Sequence, residues 1–499
     1  MSTTDDRSSG LGHILKYTGV FGGVQGLAML MSVVRNKLTS KLLGTVGQGL
    51  LMEYTSIIDG VHATTNCGVG FSSVRRASEL FESGDECAIR SFVLTVRTWC
   101  LWIGLAGVVL CVAASPFLSH ILFDGSSREA LNIMYLSPML LCLAITMGEV
   151  SVLKGLRRLK RVAAITALGA FATLLLTVPV YLVFGIRGII IAMNISTAAV
   201  TAIHMAFTVP IYPWSVRLSS AEVFREGWSM IRIGVPYVLV AVAGSIMSIV
   251  VIAILKSGGG DEVVGLYRAG YVLMGSYAGL VFAAFDSDYF PRLSSVNADV
   301  AKRNELMNRQ ILVSVLLIAP LLIAMIVMMP VILQLLHTEA FLPATSMAVC
   351  AVFYPFFRAV SMPISYMALA HGDSHIYLGA EVIYDVASVL FIWLAFSRWG
   401  LTGAGIGLSI SALFDVLLVG IAYTYIYKIH LSPQTLRLAA TQTIVVGITL
   451  AVCLLAGTLT KYIAGAALLL FSAYLSLRAL RQSPSNLKEP DAPANQPLS

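Results

Sequence analysis

A chain of 499 residues has room for two or three soluble domains, yet 57% of this one is hydrophobic and only 12% is charged, against about 25% charged in soluble proteins. No soluble fold covers that much apolar surface, so the composition points to a membrane. The formal net charge of +7 does not indicate nucleic acid, because the basic residues are spread over short connecting segments without a patch of interleaved aromatics.

Apolar runs recur along the chain at the length that a hydrocarbon core of ~30 Å demands of a helix. In order they cover residues 14–34, 46–66, 92–114, 131–153, 163–184, 188–210, 233–255, 264–285, 311–335, 344–369, 376–396, 404–425, 439–459 and 462–477. The first lacks a small-residue cleavage site and is followed by further runs, so it reads as a span and not as a leader. The chain is therefore expected to be an all-α integral membrane protein of about 14 transmembrane helices. It divides into an N-lobe of six helices over residues 13–210, a pseudo-symmetric C-lobe of six over 211–430, and a C-terminal helix pair over 431–480. The polar ends, 1–12 and 481–499, are rich in Ser, Asp, Pro and Asn and are expected to be disordered. An even number of spans puts both ends on one side. Placing them in the cytoplasm keeps most of the 33 Lys and Arg residues inside, including the clusters Lys154, Arg157, Arg158, Lys160, Arg161 and Arg292, Lys302, Arg303, Arg309, as the positive-inside rule requires. The expected location is a bacterial inner membrane.

All seven cysteines are scattered, without a CxxC pair, which argues against a disulfide framework and a zinc site. A faint internal repeat links GTVGQGLLMEY, from Gly44, with GDEVVGLYRAGY, from Gly260: Gly49-Leu50 lies about 216 residues before Gly265-Leu266. Duplicated bundles with a cavity between them would leave such a trace.

With no connecting segment long enough to fold, function must lie among the helices. An ionisable residue at bilayer depth costs at least ~2.5 kcal/mol, so each is a functional candidate. The acidic ones are Glu53, Asp59, Glu149, Glu381, Asp385 and Asp415; the clearest basic one is Arg358, with Arg35, Lys37, Lys41 and Arg268 near span ends. Alternative readings apply to several. Arg35, Lys37, Lys41 and Arg268 can snorkel to the interface, Glu149 and Asp385 can serve packing through a neighbouring cation, and His62 and His204 read as hydrogen-bonded histidines within the bundle. Walker A, HExxH and GxSxG sequences are missing, and no large loop offers a place for polymerase or ligase chemistry.

The first two spans, VVRNKLTSKLLGTVGQGLLMEY followed by ATTNCGVGFSSVRRASEL, resemble polysaccharide-biosynthesis flippases of the multidrug/oligosaccharidyl-lipid/polysaccharide exporter superfamily, nearest the O-antigen or Wzx-type group. The phrase DSDYFPRLSSVNADV at the end of the eighth span is similar to that family as well. The resemblance implies a V-shaped pair of lobes with cytoplasmic ends, and a cavity that opens alternately to either side. It implies a lipid flippase and not an enzyme, whose partner is an undecaprenyl-diphosphate-linked oligosaccharide of O-antigen or capsule type, with membrane lipids and polysaccharide assembly machinery as further partners. Related lipid II flippases use an arginine at the end of the first helix, and Arg35 takes the similar place. Arg358 and Arg268 join it as diphosphate candidates on the reading of the residues alone. Asp59, Glu149, Asp385 and Asp415 are the candidates for H+ or Na+ coupling; no organic cofactor or metal is expected. The rivals are a cation-coupled multidrug exporter of the same superfamily, which calls for carboxylates at its cargo, and a membrane-embedded transferase, which calls for a carboxylate or histidine constellation near one face.

Overall fold

The structure, a computed structural model, describes residues 5–217, 221–284, 289–296 and 299–482. Among these it is built from helices without strands: α1 (Asp5–Thr65), α2 (Val69–Ser83), α3 (Glu86–Leu122), α4 (Ser127–Leu136), α5 (Pro138–Gly155), α6 (Leu159–Phe184), α7 (Ile189–Thr208), α8 (Ala221–Ala284), α9 (Phe290–Ser295), α10 (Val300–Val327), α11 (Met329–Leu336), α12 (Ala344–Cys350), α13 (Phe353–His371), α14 (Ser374–Tyr427), α15 (Pro433–Leu455) and α16 (Thr458–Gln482), with short 3-10 turns between some of them. Of the ends expected to be disordered, residues 1–4 and 483–499 lie outside the described residues, and α1 already begins at Asp5.

Nine helical stretches among the described residues are long and apolar enough to cross a membrane, so the protein is a multi-pass membrane protein. Some exceed one crossing. α14 is 54 residues long, about 80 Å at 1.5 Å per residue, well over twice the hydrocarbon core, and it breaks at Gly400 (φ 56°, ψ −141°). α1 breaks in the same way at Gly44 and α8 at Gly260. Positive φ is open to glycine without the Cβ clash that other residues meet, which is why the reversals sit at these positions.

The faint repeat acquires geometric content at these turns. Gly44 adopts φ 67°, ψ −167° and Gly260 adopts φ 67°, ψ −169°. A second pair, Gly185 (φ 54°, ψ −136°) and Gly400 (φ 56°, ψ −141°), recurs at nearly the same offset. Two backbone reversals are thus repeated in the second half of the chain.

The chain forms two compact units, Met1–Ala269 with Leu333–Leu342, and Gly270–Ile332 with Pro343–Ser499. The division falls inside α8. The reason is local: the Lys256–Gly265 stretch of α8 is fastened to α1 by the contacts described below. In the first unit α2, α3 and α5 enclose a core of Val69, Phe92, Val96, Ala144 and Val152. In the second, α10 packs on α13, α15 and α16, and α13 on α14. The C-terminal pair is tied internally by the fully buried Gln442, which donates to Ser476 Oγ at 3.2 Å and accepts from Ser472 Oγ at 2.8 Å. Helix starts follow the usual polar caps: Asp85 accepts from the Ala88 amide, Ser126 from Glu129, Asp299 from Ala301 and Lys302, and Ser432 from Thr435.

Candidate functional site

In the first unit the two arms around Gly44 and Gly260 touch. A Cβ on Gly49 would lie 1.9 Å from the Asp261 carbonyl oxygen, and a Cβ on Gly265 would lie 1.9 Å from that of Thr45. Beside this contact Lys256 Nζ pairs with Glu53 Oε2 at 2.7 Å and Asp261 Oδ1 at 2.8 Å, and stands 4.0 Å from the centroid of the Phe123 ring. Glu53 is wholly buried, so Lys256 supplies the partner that a buried carboxylate needs. Along the same arm of α1, the Lys37 ammonium donates to the carbonyls of Gln334 and His337, the end of α11, where a cation complements the helix dipole. Ser40 Oγ and His337 Nδ1 are 2.6 Å apart, and Gln48 donates to Ser40 at 3.1 Å. Burial and the charges of Lys37 and Arg268 push the His337 imidazole down to about 4.

Arg35 lies within electrostatic range of Arg268, Tyr181 within range of both, and Asp59 within range of Arg268. Both arginines are half-buried, and among the described residues no carboxylate is within ion-pair distance of either. Two guanidinium groups of like charge within range of one another in an apolar bundle repel, and a nearby anion would offset that repulsion through charge-assisted hydrogen bonds.

Arg358 belongs to the second unit and has its own company. Its Nη1 is 2.8 Å from Asp415 Oδ2, its Nη2 is 4.0 Å from Glu381 Oε2, and its guanidinium lies 4.9 Å from the Tyr384 ring centroid. Asp385 is in the field of both Arg358 and Asp415. One cation here lies among three carboxylates, at contact distance of Asp415 and Glu381 and within electrostatic range of Asp385. Of the four coupling candidates, Asp59 therefore accompanies the paired arginines, and Asp385 and Asp415 surround Arg358.

Glu149 stands apart. Arg97 Nε and Nη2 reach its two oxygens at 2.7 and 3.1 Å, while Arg97 Nη1 donates to the carbonyls of Tyr212 (2.9 Å) and Pro213 (3.0 Å) and the guanidinium lies 4.9 Å from the Trp214 ring centroid. Both side chains are almost fully buried. This is a closed, satisfied network that fastens α3, α5 and the segment after α7. Arg97 was missed in the sequence because it lies only a few residues inside the third apolar run, where an arginine reads as snorkelling; the buried Glu149 in the following run was the available signal.

The profile of a family described as "Polysaccharide biosynthesis protein" matches residues 85–346. No curated protein matches the chain by sequence. Among solved structures the fold is similar to the lipid II flippase MurJ in an inward closed conformation, with TM-score 0.70 and 14% identity over 93% of this chain and 99% of that one. It is also similar to an inward-facing MATE-family multidrug resistance transporter of the MOP superfamily, with TM-score 0.64 and 15% identity over 80% of this chain and 96% of that one. A MOP superfamily transporter from Pyrococcus furiosus, whose binding pocket is described as reversed in polarity, gives TM-score 0.53 and 14% identity over 81% and 93%.

Proposed function

The chain belongs to the polysaccharide biosynthesis protein family, and from that premise we propose that it is a flippase for undecaprenyl-diphosphate-linked oligosaccharide, an O-antigen or capsule repeat unit, carried from the cytoplasmic to the outer leaflet of the bacterial inner membrane by alternating access. The observation that carries this reading is the electrostatic proximity of Arg35 and Arg268, neither of which has an ion-paired carboxylate among the described residues. The diphosphate is the part of such a lipid that hydrocarbon resists most, and two adjacent arginines replace its water with directed donors. In this reading the sugars stay hydrated and the prenyl chain trails in lipid. A multidrug exporter would meet its cationic cargo with carboxylates instead.

Coupling is assigned to the second unit. Protonation or cation binding at Asp385 or Asp415 changes how tightly Arg358 is held, and Arg358 reaches a diphosphate only by leaving Asp415; Asp59 can adjust the charge of the Arg268 site in the same manner. Both chain ends are placed in the cytoplasm, and the polysaccharide assembly machinery is the expected downstream partner.

The test is made in the native host. A deletion strain is complemented with Arg35→Ala, Arg35→Lys, Arg268→Ala or Arg268→Lys, and surface glycan is measured alongside the prenyl-diphosphate oligosaccharide in each leaflet. The alanine variants are expected at normal membrane abundance, with glycan lost and the lipid intermediate stranded inside. Full export by both alanine variants refutes the assignment.

A further inference from the structure

Arg303 near the start of α10, which the candidate site does not use, lines an open cavity of ≈ 530 Å³ in the second unit together with Lys428, His371, Ser294 and Ser295 among others. Its walls are fixed. Arg303 is 3% exposed; its Nη2 donates to the Tyr427 carbonyl at 2.6 Å and its Nη1 faces both ring nitrogens of His371 at 3.3–3.4 Å. The segment after α14 is stapled to α10 by two asparagines. Asn304 donates to the Lys428 carbonyl (3.1 Å) and accepts from the His430 amide (3.2 Å), and Asn308 donates to the His430 carbonyl (2.7 Å) and accepts from the Ser432 amide (2.7 Å). These bonds hold Lys428 in the left-handed region at φ 54°, a conformation an ordinary residue keeps only when its surroundings impose it. The nearby carboxylates are occupied: Asp373 accepts the Tyr427 hydroxyl at 2.8 Å, and Asp299 caps α10.

The cavity also borders the apolar exterior. Ile426, one of its lining residues, and Tyr425 beside it are 48% and 83% exposed, the pattern of a tyrosine and aliphatic pair at a membrane interface. A ligand that suits both features carries phosphate at one end and hydrocarbon at the other.

We propose that this cavity is a docking site for the phosphate or diphosphate head group of a membrane lipid, held by Lys428 and Arg303 with His371 as a third polar contact, while the lipid's chains lie along the Tyr425–Ile426 surface. The stapled backbone fixes where the Lys428 side chain starts, which lowers the ordering cost of binding an anion. The site is separate from Arg35 and Arg268, and its existence does not depend on what the protein transports.

The test uses the full chain in nanodiscs of phosphatidylcholine, with or without phosphatidic acid, followed by native mass spectrometry of the retained lipid. Thermal melting with inorganic pyrophosphate in detergent is run in parallel. Lys428→Gln removes an exposed charge and should leave the fold intact; Lys428→Arg keeps the charge. Wild type and Lys428→Arg are expected to retain phosphatidic acid over phosphatidylcholine, with about a fivefold loss for Lys428→Gln. Stabilisation by pyrophosphate with no preference for phosphatidic acid would overturn the lipid source and leave a soluble phosphate site. Equal retention and equal melting for wild type and Lys428→Gln overturns the site altogether.

Discussion

Gly49 and Gly265 occupy reciprocal positions: each presses its bare α-carbon onto a carbonyl of the other's arm, Gly49 onto Asp261 and Gly265 onto Thr45, with the same 1.9 Å separation for the missing Cβ. Gly49 and Gly265 lie 216 residues apart, as do Thr45 and Asp261, so the contact is a local two-fold arrangement made by two copies of one turn. Neither position admits a side chain while the arms touch.

Gly49→Ala is accordingly expected to part the arms. Overpacking costs about 1–3 kcal/mol, roughly a five- to hundred-fold shift away from the closed contact. Spin labels on the exposed positions Val46→Cys and Glu262→Cys should report a longer distance by double electron–electron resonance, and flipping should fall in proportion. An unchanged distance distribution would show that the glycines are not what permits the approach.

His337 predicts a pH response. Its folded value near 4 lies below the ordinary ~6.5 of histidine, so the unfolded or released form binds more protons in that interval. The Ser40–His337 contact contributes fully above about 6.5 and is lost as the pH falls toward 4. The melting temperature of the detergent-purified protein should therefore drop across that window, and His337→Gln, which cannot titrate, should flatten the drop.

Arg97→Met is expected to leave Glu149 buried and unpaired, at a cost of about 3–5 kcal/mol, and Glu149→Gln to cost less because an amide still hydrogen-bonds to the guanidinium. The readout is thermal stability and membrane abundance. If Glu149→Gln instead abolished transport while leaving stability unchanged, its place would be in ion coupling and not in the network with Arg97.

The Arg358–Asp415 pair calls for a double-mutant cycle on transport. Arg358→Gln and Asp415→Asn should each be strongly deleterious, and the double variant should do better than the sum of the two, because neither charge is then stranded. Strict additivity would mean that Arg358 acts on the cargo independently of Asp415.

The helices and the repeat were legible in the sequence because hydropathy and glycine spacing are local signals. Arg35 and Arg268 lie far apart in the chain, and only the fold brings them within electrostatic range of one another. Arg358 could be seen as buried, but its partners come from α14, and no spacing rule joins them. Lys256 and Arg97 sit near the ends of apolar runs, where charge is unremarkable; their roles appear only when Glu53 and Glu149 are found beside them. Hydropathy marks where helices lie and not which neighbours they choose.

The Arg97 network bears on how the protein is made. Arg97 and Glu149 emerge from the ribosome well before Tyr212 and Pro213, whose carbonyls take the remaining guanidinium donor. The carbonyls that complete the guanidinium's hydrogen bonding are thus made more than a hundred residues after the arginine, and the network ties chain made early to chain made late.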